Sequence, residues 1–187
     1  MKQIWVAVFG LAAGTGALAA TIEPGSAPSV RLCVEDSVVT PFILLRGESI
    51  ATEIFRNIGI RISWVRRTRC VQSSSEPIAV QVSTGAPPGR FPGALGYTLL
   101  AERQIEVFYD RVERIIEAPA VPHLLGHVLA HEIAHVLEGV KRHSAEGLMK
   151  ANWDSHDYEG MFPHVLPFAP EDVDLIRASL AAFTVPF

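Results

Sequence analysis

All seven histidines of this chain fall between His123 and His164, and two of them stand four apart in the run Leu129-Ala130-His131-Glu132-Ile133-Ala134-His135. On a helix that spacing sets both imidazoles one turn apart on one face, with Cβ atoms about 5–6 Å from each other. Two rings so placed can share one Zn²⁺ through Zn–N bonds of about 2.0–2.1 Å. Glu132 follows His131 directly and therefore points about 100° away from it. That makes it a poor co-ligand but places it well to reach a water activated by the metal. The H-E-x-x-H pattern thus draws two ligands and one general base from little more than a single helical turn. Val128, Leu129, Ile133, Ala134, Val136 and Leu137 make the segment apolar nearly all round, as in a buried central helix. Gly139 suits its end in left-handed backbone.

A catalytic zinc needs a third protein ligand and an open position. Beyond Gly139 the chain turns, and His143 can return to the metal. The run from His131 to Met149 resembles the metzincin metallopeptidases, whose motif is H-E-x-x-H-x-x-G-x-x-H followed by a methionine turn. It resembles more closely a group of short secreted bacterial proteins of zincin type that read H-E-x-x-H-x-L-x-G-x-x-x-H-S-x-x-G-x-M. The match is strong from Leu124 to Trp153 and weaker over the preceding Val107–Val112 strand. It departs from the metzincin pattern in loop length: Gly139 stands four residues after His135 rather than three, and His143 eight rather than six. The resemblance implies an apolar floor beneath the metal from Met149. The residue two positions after Met149 is Ala151, so no tyrosine ligand of the astacin sort is implied. The rivals to His143 are the downstream carboxylates Glu146, Asp154, Asp157 and Glu159, with Glu146 nearest.

The other histidines admit plainer readings. His123 and His127 continue the four-residue spacing upstream, but successive steps drift by about 40° on a helix. They read as hydrogen-bonded or partly exposed helix residues, with an outer-sphere role open to His127. His156 and His164 fall in a loop rich in Asp, Gly and Pro. Trp153 reads as a core or wall residue, and Arg66, Arg67 and Arg69 as a solvated turn.

Residues 1–19 carry the marks of a cleaved secretory signal: Lys2, the apolar run Ile4–Ala13 and the small-x-small sequence Ala17-Leu18-Ala19. That run is shorter than the roughly 20 apolar residues of a membrane span, so no stable membrane insertion is expected after cleavage. Export, periplasmic or extracellular, exposes Cys33 and Cys70 to an oxidising compartment, where two thiols most often pair. A crosslink across that loop contributes roughly 4 kcal/mol in the chain-entropy picture.

The remaining 20–187 read as a single metzincin-like domain. Strands are expected at Val30–Val34, Ile60–Val65, Ile78–Val82, Leu95–Leu100 and Ile105–Val112, and helices at Phe42–Ile58, His123–Gly139 and Glu171–Phe183. That order gives an α+β, zincin-like fold, with a mixed sheet packed on the histidine-bearing helix and a C-terminal helix. By resemblance Gly96-Tyr97-Thr98 is an edge strand that takes an extended peptide as a further strand; an internal strand is the alternative.

The 187 residues carry a formal charge of −4 with no basic stripe, which argues against a nucleic-acid partner. The expected activity is hydrolysis of peptide bonds in peptide or protein substrates by a monomer holding one Zn²⁺ on His131, His135 and His143, with Glu132 as general base. The competing expectation is an exported zincin fold that binds without cleaving, or a structural zinc protein whose site is closed by a fourth ligand such as Glu146, His156 or Asp157.

Overall fold

The computed structural model describes residues 27–36, 38–72, 77–85 and 92–183. The expected signal segment at 1–19 lies outside them.

Five strands form one mixed sheet in the order β2-β1-β3-β5-β4: β1 (Ser29–Asp36), β2 (Arg61–Arg66), β3 (Ile78–Ser83), β4 (Gly96–Leu99) and β5 (Gln104–Phe108). β1, β2, β3 and β5 run parallel, and β4 closes one edge antiparallel to β5. Ile78, Val80 and Val82 are buried while Ala79 and Gln81 between them face solvent, so one face of the sheet carries the core. That face is covered by α1 (Pro41–Asn57), which packs on β2, and α3 (Val121–Glu138), which packs on β4 and β5. α5 (Pro170–Phe183) lies against α3.

The two central helices approach through glycines. A Cβ at Gly126 of α3 would stand 2.6 Å from Ile50 Cβ and 2.8 Å from the Gly47 carbonyl of α1. Only hydrogen at that position allows the backbones so near, and this close crossing sets the depth at which α3 lies. α3 is buried almost throughout, as its apolar circumference predicts. It starts at Val121, two residues before the expected position, because Pro122 falls in the first turn, where no backbone N–H donor is required. Gly139 ends it with φ 70°.

Three local expectations are corrected. The strand expected over Ile105–Val112 ends at Phe108, and α2 (Tyr109–Ile115) follows directly. Ile105, Val107 and Tyr109 fit a period of two, but Tyr109 and Val112, both buried, also fit a helical period. Asp110 in the first turn favours the helix. Second, His156 lies on a short helix, α4 (Ser155–Gly160), rather than in a loop. Asp154 caps it by accepting from His156 N and Asp157 N, while Asp157 accepts from Asp154 N. Third, Arg66 ends strand β2 rather than lying in a turn; its side chain is exposed as expected and pairs with the buried Glu48 of α1. Arg67 and Arg69 do sit in a 3₁₀ turn, where Arg67 pairs with Glu35.

Cys33 of β1 is bonded to Cys70, with Cα atoms 6.0 Å apart. Among the described residues no helix is long and apolar enough to cross a membrane.

Candidate metal centre

His131 and His135 project from one face of α3, their ring centroids 4.8 Å apart. Each ring is oriented from behind. His131 Nδ1 lies 2.9 Å from the Leu148 carbonyl, and His135 Nδ1 lies 3.3 Å from the Val140 carbonyl. A carbonyl oxygen only accepts, so each neutral ring carries its proton on Nδ1 and keeps a lone pair on Nε2. The two Nε2 atoms face each other at 3.1 Å. Neither has a proton to give, so the contact is repulsive unless a cation lies between the lone pairs. Two nitrogens held at about 2.0–2.1 Å in a tetrahedral shell stand roughly 3.3 Å apart, and the pair matches that spacing.

His143 completes a triangle. Its ring centroid is 5.3 Å from that of His131 and 5.0 Å from that of His135. One ligand atom from each of the three histidines falls within 4.8 Å of the others. Burial holds the His131 pKa down at about 3 and that of His135 at about 4, with the neighbouring imidazoles adding to the effect. His143, the exposed member, is lowered by partial burial as well. Three neutral imidazoles converging on one point are a donor set for a metal ion.

Glu132 is 7% exposed and turns away from the two ligand-type rings toward β4. Thr98 of that edge strand donates its hydroxyl to Glu132 Oε2 at 2.7 Å. Burial pushes the Glu132 carboxyl up to about 7, and the Thr98 bond opposes that rise. A Cβ at Gly96 would stand 3.1 Å from Glu132 Cγ, so strand and helix touch at this point. A cleft of about 500 Å³ opens between β4 and Trp153, and His131, His135, His143 and Glu132 all line it.

The remaining residues singled out from the sequence divide plainly. Gly96, Tyr97 and Thr98 do lie in an edge strand. Met149 is fully buried in the core. Trp153 stands edge-on to His131 at 5.6 Å and donates Nε1–H to the Leu148 carbonyl at 3.2 Å, the same oxygen that orients His131. His127 is fully buried; its Nδ1–H donates to the His123 carbonyl at 2.7 Å, and its Nε2 accepts the Leu166 N–H at 3.0 Å. The Leu166 bond ties the 161–168 segment to α3. Asp154 and Asp157 both pair with Lys150, and Glu146, His156 and His164 are exposed. The Thr98–Glu132 bond and the two orienting carbonyls had no sequence signature, because a carbonyl belongs to every residue and a threonine in a strand is ordinary.

No protein-family model matches the chain, and no curated protein matches it in sequence. Among solved structures, archaemetzincin from Methanopyrus kandleri aligns at a TM-score of 0.54 over 86% of this chain and 99% of its own, with 15% identity. Two structures of myroilysin match 80% and 87% of this chain and 66% and 67% of theirs, at 16% and 18% identity and TM-scores of 0.39 and 0.38. Taken with the mixed five-stranded sheet and the three-histidine cluster, the first likeness makes this chain zincin-like and, more narrowly, metzincin-like in fold.

Proposed function

We propose that this chain is an exported zinc metallopeptidase that cleaves internal peptide bonds, with one Zn²⁺ held by His131, His135 and His143. The observation that carries the proposal is the pair of Nε2 lone pairs facing each other at 3.1 Å, each fixed by an Nδ1–H donated to a carbonyl. Such a contact has a physical reason only when a cation is shared. A bound Zn²⁺ supplies Lewis acidity, polarising a scissile carbonyl and lowering the pKa of a water toward ~7.

Glu132 does the proton work. Its carboxyl, poised near 7, can take a proton from the attacking water and return it to the leaving amine. Thr98 keeps that carboxylate at the cleft wall. β4 is the outermost strand of the described sheet, and an extended peptide added beside it would place its scissile bond beside the histidines. Peptide and protein substrates fit that position. Export is supported by the leader-like residues 1–19 and by the Cys33–Cys70 disulfide.

The test is elemental analysis of the purified protein alongside Glu132→Gln and cleavage of a denatured protein mixture. One zinc per chain in both proteins, with cleavage only in the wild type, is expected. Zinc without cleavage by the wild type would refute the peptidase reading and leave a zincin fold that binds. A protein purified without chelators and free of zinc would sink the metal assignment.

A further inference from the structure

The three histidines are not held alike. His131 and His135 sit on a buried helix, and each ring is locked by a carbonyl on its Nδ1. His143 sits on an exposed loop, and neither of its ring nitrogens has such a bond among the described residues. Its position must therefore come from the backbone on either side. Both flanking side chains reach the same buried carboxylate. Ser144 Oγ donates to Asp172 Oδ1 at 2.6 Å, and Arg142 Nη2 donates to the same oxygen at 2.5 Å. Arg142 Nη1 also donates to Ser144 Oγ at 3.2 Å, closing a ring of three bonds around His143.

Asp172 itself cannot move. Its side chain is 0% exposed, it lies in the first turn of α5, and its Oδ2 accepts the Ala169 N–H at 3.1 Å. Capping the helix requires only Oδ2, which leaves Oδ1 for the loop. The far side of the loop is fastened to the same region. Ser144 N–H donates to the Met149 carbonyl at 2.8 Å, and Leu148 N–H to the Pro167 carbonyl at 2.8 Å.

We propose that Asp172 is a positioning residue for metal binding, holding His143 at the centre through Arg142 and Ser144. This rests on the reading of His143 as a ligand. It also accounts for a loop two residues longer than the metzincin spacing: the extra length is spanned by anchorage to α5. Outer-sphere groups that orient a metal ligand typically govern affinity by about 10–100-fold. Asp172→Asn retains a single acceptor oxygen, so it cannot satisfy Ala169 and the loop together, and it loses the charge opposite Arg142.

The experiment is competition for Zn²⁺ against a chromophoric chelator, using folded, metal-stripped protein checked by circular dichroism. Asp172→Asn should weaken zinc binding by about 10–100-fold, and Ser144→Ala by a smaller factor in the same direction. In a His143→Ala background, adding Asp172→Asn should change affinity less than about twofold, because the ligand through which it acts is gone. A general loss of structure would lower affinity in both backgrounds alike, and that result would overturn the proposal. So would wild-type affinity in Asp172→Asn. If that variant does not fold, Ser144→Ala carries the same comparison. Wild-type affinity in His143→Ala would remove the ligand assignment and the proposal with it; weakened His143→Ala beside an unaffected Asp172→Asn would remove the proposal alone.

Discussion

Glu138, the last residue of α3, has a side chain 0% exposed, and neither of its carboxylate oxygens accepts a hydrogen bond from the described residues. It stands at the negative end of the helix dipole. Burial first and the Asp172 charge second raise its pKa to about 7, against the pull of Arg142, whose Nε is 3.8 Å away. An acid held near 7 rather than 4.5 disfavours its charged form by about 3 kcal/mol, at roughly 1.4 kcal/mol per tenfold change in the ionisation constant. The sign follows from the raised value. The folded state holds the proton more tightly than the unfolded chain, so the contribution is fully present below pH 4.5 and is lost as pH rises through 7. Glu138→Gln removes the charge and keeps the shape. Between pH 5 and pH 8 the variant should gain on the wild type by about 2 kcal/mol, since part of the loss has already occurred at pH 5. For a chain of this size that is a relative rise in Tm of about 4–8 °C. Thermal unfolding by circular dichroism at both pH values, on metal-stripped protein, measures it. An equal gap between the two proteins at pH 5 and pH 8 would refute the reasoning, because the carboxyl would then be ionised normally in the fold.

Gly126→Ala, which ordinary helix propensity would favour by about 1 kcal/mol, should instead destabilise by roughly 1–3 kcal/mol, because its Cβ would meet Ile50 Cβ at 2.6 Å; an unchanged or raised chemical-denaturation midpoint contradicts the close crossing. Burial holds the pKa of His127 down at about 4, so its contribution to stability is present above pH 6.5 and lost as pH falls toward 4; His127→Gln should flatten that loss by up to about 3 kcal/mol. Parallel acid-unfolding curves for the two proteins would show that His127 is not the source. Reducing the Cys33–Cys70 bond, whose partners are 37 residues apart, should cost roughly 4 kcal/mol, read as a lowered Tm in the presence of reductant. Zinc added to the metal-stripped protein should alter the emission of Trp153, which stands 5.6 Å from the His131 ring; a Trp153→Phe variant should lose that response.

The sequence is most legible where one element carries both pattern and chemistry. α3 declares itself by apolar residues on every side, and the spacing of His131, Glu132 and His135 is a property of the helix alone. His143 is legible one step further out, because a glycine stop and a return turn confine where eight residues can reach. Legibility fails where the decision is tertiary. The run Ile105–Val112 satisfies two periods at once, and only the packing of Tyr109 and Val112 selects the helix. The first turn of α4 was written in the sequence as Asp154 and Asp157 three apart, a reciprocal cap that the neighbouring Gly and Pro residues obscured. The meeting of Glu138 and Arg142 with Asp172 had no local trace, since it depends on where α5 docks.

The two kinds of support around the histidines have different consequences for loss of metal. The α3 half is embedded in the core: Gly126 fixes the helix against α1, while the chain near Leu148 and Val140 fixes the two rings. Without a cation the helix stays where it is, and the cost appears as two facing lone pairs at 3.1 Å. The His143 half has less rigidity of its own, because its loop is largely exposed and is fastened by the Arg142 and Ser144 side chains to Asp172 and by the backbone bond from Ser144 N–H to the Met149 carbonyl. Loss of a bound metal should therefore leave α3 in place and loosen the 141–147 segment around His143 first. That order follows from where the bonds are. The orienting carbonyls of His131 and His135 are backbone groups, whereas the His143 arm rests on the side-chain bonds of Arg142 and Ser144 to Asp172, on the Ser144 N–H bond to the Met149 carbonyl and, in the proposed zinc-bound form, on the ion.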